Sequence, residues 1–133
     1  IANGFSNDAD FKSADNMSID AGWIGLDIGE NARMLFQAVI ESSKTVLWNG
    51  PMGVAEMSNF ANGTIAVAES VVKATEKGAF SLIGGGDSAA AVNNLGYGDR
   101  VSYVSTGGGA LLEYMEGKVL PGVAALEDDD DEY

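Results

Sequence analysis

The sequence predicts an α/β fold, a three-layer α/β/α arrangement with helices on both sides of a parallel sheet. Three observations predict it. Short apolar runs alternate with stretches of helical periodicity, the pattern of parallel strands joined by right-handed crossovers. Three of those runs pass directly into turn-rich or Gly-rich loops. The chain has 133 residues, 46% of them apolar, which is one domain's worth or less and enough to build a core.

The elements follow in order. Ile1 to Gly25 is the least regular stretch and reads as the end of a strand and a long connection. From Glu30 to Ser42, Ala32, Leu35, Phe36, Val39 and Ile40 fall at the spacing of one helix face. Thr45 to Trp48 reads as a buried strand, followed by the turn Asn49-Gly-Pro-Met-Gly53. A second helix is expected from Thr64, a good N-cap, to Lys77, with Ile65, Ala68, Val72 and Thr75 on one side and Gly78 as its stop. Phe80 to Ile83 is the next strand, Gly84-Gly-Gly-Asp-Ser88 its loop, and Ala89 to Leu95 a short helix ended by Gly96. Val101 to Ser105 is a third strand, Thr106-Gly-Gly-Gly109 its loop, and Ala110 to Glu116 its helix, ended by Gly117. Leu120-Pro-Gly-Val123 reads as extended, and the tail from Glu127 as disordered.

Composition excludes several classes of function. No cysteine and no histidine occur, so disulfides, thiolate metal sites, a His general base and a Ser-His-Asp triad cannot arise within this chain. Any metal would sit on oxygen ligands, which favours Mg or Ca. The net charge is −13, and the six consecutive acids Glu127 to Glu132 account for six of it, leaving −7 for the rest. The seven basic residues are scattered, so nucleic acid is not an expected partner. No run approaches the ~20 apolar residues of a membrane span, and a membrane is not expected as a partner either. The address expected is cytoplasmic. The chain opens on Ile1 rather than Met, which reads as a piece of a longer protein.

In a parallel sheet every strand-to-helix loop opens on one edge, so the three loops should lie together. Glycine lets backbone approach a ligand closely, and a helix N-terminus offers unpaired N–H groups and a partial positive charge. One such loop is commonly just a tight turn; two Gly-Gly-Gly runs at strand ends point to a phosphate. No Lys follows either run, so the Walker pattern fails. Gly84-Gly-Gly86-Asp-Ser-Ala89 does match Gly-x-Gly-x-x-Ala. An NAD-dependent oxidoreductase would want an acid at the next strand end, where Val104-Ser105-Thr106 has none. Asp87 has two readings, a helix N-cap and a carboxylate holding Mg against nucleotide phosphates. Glu56 is either an ordinary exposed Glu or a ribose ligand.

The motifs taken together resemble those of the phosphoglycerate kinase family. Val46-Leu-Trp-Asn-Gly-Pro-Met-Gly-Val54 with Glu56 is similar to its nucleotide loop. Ile83-Gly-Gly-Gly-Asp-Ser-Ala89 and Val104-Ser-Thr-Gly-Gly-Gly-Ala110 resemble its two other C-domain loops. Gly22-Trp-Ile-Gly-Leu-Asp-Ile-Gly29 and Leu120-Pro-Gly-Val123 resemble flanking motifs, so the likeness spans about Ile1 to Leu126. It implies that residues 1–126 are part of a Rossmann-like nucleotide-binding C-terminal domain, with 127–133 an added acidic tail. The parent would be a glycolytic kinase moving a phosphoryl group between 1,3-bisphosphoglycerate and ADP, giving 3-phosphoglycerate and ATP, with Mg2+. Pro51 and Val54 would line the adenine pocket and Glu56 would bind ribose. Asn49 and Gly50, with Gly84, Gly85, Gly86 and Ser88, would lie about the phosphates, and Asp87 would hold Mg. The amides of Gly107, Gly108 and Gly109 would meet the phosphoryl group in transfer.

Several positions depart from the family pattern. Ala55 stands where an aromatic is usual, Tyr103 where a His is, Leu111 where a Ser is, and Glu30-Asn-Ala32 replaces a Pro-x-Ser/Thr. The resemblance also implies that a separate N-terminal domain, absent here, binds the three-carbon substrate and that a Lys earlier in the C-terminal domain takes part. By itself the chain is expected to be a nucleotide-binding module without catalysis. A structural partner acting through the acidic tail is a further class.

Overall fold

The computed structural model describes residues 1–15 and 17–127. Of the acidic tail from Glu127, expected to be disordered, Glu127 is the last residue of a helix and the rest lies outside the described residues. Helix α1 spans Glu30–Glu41, strand β1 Thr45–Asn49, α2 Asn62–Glu76, β2 Phe80–Gly84, α3 Gly86–Asn94, β3 Tyr103–Ser105, α4 Gly108–Met115 and α5 Pro121–Glu127. Single turns of 3-10 helix occupy Ser58–Phe60 and Gly98–Arg100. The strands form one parallel sheet in the order β1-β2-β3. The alternation read from the sequence is therefore present, and the architecture is α/β with a parallel sheet and flanking helices.

The register explains where the core sits. Trp48, Ile83 and Val104 lie side by side across the three strands. Trp48 and Ile83 are buried against Val67, Val71 and Val72 of α2 and Val92 of α3, with Val104 partly buried beside them. Strand side chains alternate between faces, so the row Leu47, Leu82 and Tyr103 belongs to the opposite face. That face is largely open: Leu47 is 40%, Phe80 53% and Tyr103 61% exposed. The start of α4 comes against this face where the Leu111 side chain lies against Gly84.

Four sequence expectations are corrected. Helix α2 begins at Asn62, so Thr64 is its third residue rather than its N-cap. The Thr64 hydroxyl is buried and accepts a hydrogen bond from the Met52 N–H at 3.1 Å. Strand β3 begins at Tyr103 rather than Val101, because Ser81 and Ser102 exchange side chain for backbone. The Ser81 N–H donates to the Ser102 hydroxyl at 3.0 Å and the Ser102 N–H to the Ser81 hydroxyl at 2.9 Å. Leu120 to Val123 is not extended throughout: α5 starts at Pro121, whose fixed φ and missing N–H suit the first helical position. Helix α1 has its predicted length, but Leu35, Phe36 and Val39 of its apolar stripe are exposed. The half-buried side of α1 carries Gln37, Ile40 and Glu41. The Gln37 amide, hydrogen bonded to Glu41, together with Lys73 of α2 and Lys77 just past its end, holds the Glu41 carboxyl below its ordinary pKa.

The irregular N-terminal stretch acts as a clamp. Ala2 is fully buried between single antiparallel bridges to Phe11 and Ile24. It carries the following segment past the β1 loop, where the Val54 N–H donates to the Leu26 carbonyl at 2.9 Å. Asp27 then reaches the start of α2: its carboxylate accepts from the Gly63 N–H at 2.9 Å and from its neighbour Ile28 at 2.8 Å. A Cβ at Gly53 would come within 2.5 Å of the Asp27 carboxylate, and one at Gly63 would clash with it too. Asp27→Ala removes an ionised acceptor from two N–H groups, so it should lower stability by about 2 kcal/mol. Chemical denaturation checks this; an unchanged midpoint would show that water replaces the carboxylate.

Candidate functional site

The C-terminal residues of the three strands stand in one row. Asn49 is paired with Gly84, and Gly84 with Ser105. The loop after Asn49, the Gly85 turn into α3 and the Thr106–Gly107 turn into α4 therefore leave the same sheet edge as neighbours; α3 and α4 start at Gly86 and Gly108, inside the stretches expected to be loops, rather than at Ala89 and Ala110. Helix α3 begins at Gly86 and α4 at Gly108, each with a glycine as N-cap and no side-chain cap. The first N–H groups of a helix have no intrahelical acceptor. The Gly85 N–H donates to the Ser105 carbonyl at 3.0 Å and the Gly107 N–H to the Ser105 hydroxyl at 3.3 Å. Of the next three amides of each helix, those of Gly86 and Asp87 in one and of Gly109 and Ala110 in the other belong to exposed residues and have no partner among the described residues, whereas Ser88, expected to offer its amide to phosphate, and Gly108 are buried.

The two helix starts nearly touch. A Cβ at Gly108 would stand 2.6 Å from the Gly85 Cα and 2.9 Å from its nitrogen. Only glycine at 108 permits this approach, and the positive φ of Gly85, 94°, is the left-handed region glycine tolerates. Two partial positive charges are thereby placed side by side at a sheet edge that has no Lys or Arg in its loops.

Side chains tie the loops together. The Asn49 amide donates to the Gly108 carbonyl at 3.2 Å. The Ser88 hydroxyl, 0% exposed, accepts from the Gly50 N–H at 2.6 Å. The Gly50 amide is thus engaged within the chain, while φ of 100° turns its backbone. The Trp48 indole donates to the Gly50 carbonyl at 2.7 Å.

Asp87 lies inside the first turn of α3, not at its N-cap, because the helix starts one residue before it. The residue is exposed there. A cleft of about 210 Å3 runs between α2 and α3, with Glu56 and Asp87 both on its lining. Ala55, Ala61, Ala90 and Ala91 make much of its wall, so short side chains are what leave it hollow. Pro51 and Val54 lie outside this lining. Val54 packs instead against the cluster of Ala2, Leu26 and Phe60. Among the described residues no three His, Cys, Asp or Glu side chains gather as a metal cage. One exposed carboxylate beside unpaired amides suits Mg2+, which keeps several waters and shares its coordination with substrate phosphates. No helix among the described residues is long and apolar enough to cross a membrane.

Sequence reasoning missed Asp27, Thr64 and the side-chain oxygens of Ser88 and Ser105. Asp27 supports a helix 36 positions away in the chain, beyond the reach of local capping rules. Its only signal was its place inside the Gly22 to Gly29 motif.

Comparison with known proteins identifies the family. The family model described as phosphoglycerate kinase matches residues 1–118. The phosphoglycerate kinase of Porphyromonas gingivalis is 57% identical over 127 residues, covering 96% of this chain and 30% of that protein. That of Rhodococcus opacus is 57% identical over 128 residues, covering 96% and 32%. Among solved structures, phosphoglycerate kinase from Coxiella burnetii superposes with a TM-score of 0.86 at 37% identity, covering 99% of this chain and 33% of that one. The enzyme from Pyrococcus horikoshii OT3 gives 0.70 at 34% identity, covering 81% and 26%. The chain spans about a third of the length of these relatives, and it belongs to the phosphoglycerate kinase family.

Proposed function

We propose that this chain is the Mg-nucleotide-binding part of a cytoplasmic phosphoglycerate kinase. The full-length protein would transfer a phosphoryl group reversibly between 1,3-bisphosphoglycerate and ADP. The observation that carries the reading is the pair of abutting helix N-termini, each with two exposed first-turn amides, and Asp87 in the first turn of α3. That arrangement suits a polyphosphate with a bound divalent cation.

The roles follow from position. The amides of Gly86 and Asp87 meet nucleotide phosphate oxygens, and the Gly84–Gly85 turn keeps side chains out of their way. Asp87 holds Mg2+, which when bound neutralises phosphate charge. The Gly107–Gly109 loop presents its amides where the transferring group gains negative charge. In the forward direction a β-phosphate oxygen of ADP forms the new P–O bond as the acyl-phosphate P–O bond breaks. The electron pair leaves on the carboxylate of 3-phosphoglycerate, so no side chain need act as nucleophile or redox partner. Positioning and charge neutralisation are what this chemistry requires. Asn49, Gly50 and Pro51 form the nucleotide loop, and Val54 anchors its end to the core cluster of Ala2, Leu26 and Phe60. The acidic three-carbon substrate binds to a part of the protein outside this chain.

Glu56 reads the ribose, being exposed on the cleft it shares with Asp87. Ribose contacts are similar in the ground and transition states, so Glu56→Ala in the full-length enzyme should raise the nucleotide KM about tenfold with little change in kcat. Steady-state kinetics with varied Mg-ADP checks this. A fall in kcat at unchanged KM would assign Glu56 elsewhere.

A further inference from the structure

We propose that Ser88 is a positioning residue whose hydroxyl, accepting the Gly50 N–H, fixes the register of the nucleotide loop against the phosphate-facing start of α3. This rests on the nucleotide-binding reading above and concerns how that site is held together.

Three contacts close a triangle around the site. Ser88 joins the second loop to the first at 2.6 Å. The Gly85 N–H joins the second loop to the Ser105 carbonyl at 3.0 Å. The Asn49 amide joins the first loop to the Gly108 carbonyl at 3.2 Å. Two of the three sides depend on a side chain, and Ser88 is the shortest contact and fully buried. Its neighbour Asp87 is exposed, so one peptide joins the buried anchor to the residue proposed to hold the metal. A rigid backbone turn at Gly50 also needs an acceptor for its N–H. If Ser88 did not accept it, the amide would be buried without a partner or would rotate toward the ligand. The loop carrying Glu56 and the helix carrying Asp87 would then no longer share a frame, and the two ends of a bound nucleotide would be held out of register.

Small displacements in such a site are expensive in rate, with an order of a hundredfold for about 1 Å. In the full-length enzyme, Ser88→Ala should lower kcat for phosphoryl transfer by about ten- to a hundredfold. Mg-ADP affinity by calorimetry should fall less than kcat does. Ser88→Thr, which keeps the hydroxyl, should stay within about threefold of the wild-type kcat, whereas a purely space-filling role would tolerate Cys, close to Ser in size, and suffer from the added methyl of Thr. In the same variants, amide hydrogen exchange at Gly50 should be slow with Ser or Thr and fast with Ala. Ser88→Cys occupies similar space but accepts weakly, so it carries the kinetic test should the Ala protein not fold; its kcat should fall as well. Wild-type kcat in a folded Ala or Cys protein, or unchanged Gly50 exchange in the variant, overturns the proposal. Absence of Mg-ADP binding by the unaltered enzyme overturns the functional reading instead, and the Gly50 exchange still decides the contact.

Discussion

Asp87→Ala in the full-length enzyme should lower kcat/KM by about a hundred- to a thousandfold while leaving the fold in place. The separation of the two effects comes from where Asp87 sits. Its carboxylate is exposed, caps no helix and hydrogen bonds to nothing in the described chain. Its contribution to folding is a favourable interaction with the α3 dipole, about 0.3–1 kcal/mol. The functional loss is larger because the loops hold no Lys or Arg to take over the charge. Removing one preorganised electrostatic partner from such a transition state typically costs a factor of this size. Coupled kinetics together with thermal melting checks both halves. Ordinary turnover in the variant would leave Asp87 with no more than its effect on the helix dipole.

Residues 1–133 expressed alone should show no phosphoglycerate kinase turnover. A transferring phosphoryl group needs cations as well as amides around it, and here the site offers one carboxylate for a metal and two helix starts. The sheet adds a physical difficulty. Its open face presents Leu47, Phe80 and Tyr103 to water, and α1 presents Leu35, Phe36 and Val39. Exposed apolar surface on both drives association, and an unpaired strand edge adds to it. The chain alone should therefore run as oligomers or aggregates. Light scattering and a coupled assay on a monodisperse fraction test this. A kcat within the usual enzyme range of about 1–10³ s⁻¹ would sink the expectation.

What the sequence disclosed and what it withheld divide along physical lines. Elements set by local periodicity were legible, as with α1 from Glu30, β1 from Thr45 and β2 from Phe80. So was the gathering of three loops at one edge, since parallel topology requires it. The boundaries that failed are those decided by distant partners. Thr64 looks like a cap because of its type, yet the chain folds it inward to receive the Met52 amide. Val101 and Ser102 have the composition of a strand, but hydroxyls replace the ladder there. Pro121 was read as part of an extended segment, though proline also favours a first helical turn. The apolar stripe of α1 was evident from its spacing, but spacing carries no information about what covers it. At the site, Asp87 and Glu56 stood out by motif, while the inward-facing hydroxyl of Ser88 could not be seen without its partner 38 residues away.

The approach of Gly108 to Gly85 also bears on how this gene can vary. Every missense change one base away from a glycine codon introduces a residue with a Cβ, and at 108 that atom has nowhere to go but into the backbone of Gly85. The neighbour cannot yield as a flexible side chain would. Random single-base mutagenesis should therefore return codon 108 almost only in synonymous form, whereas Gly109, where a Cβ meets open space, should accept alanine.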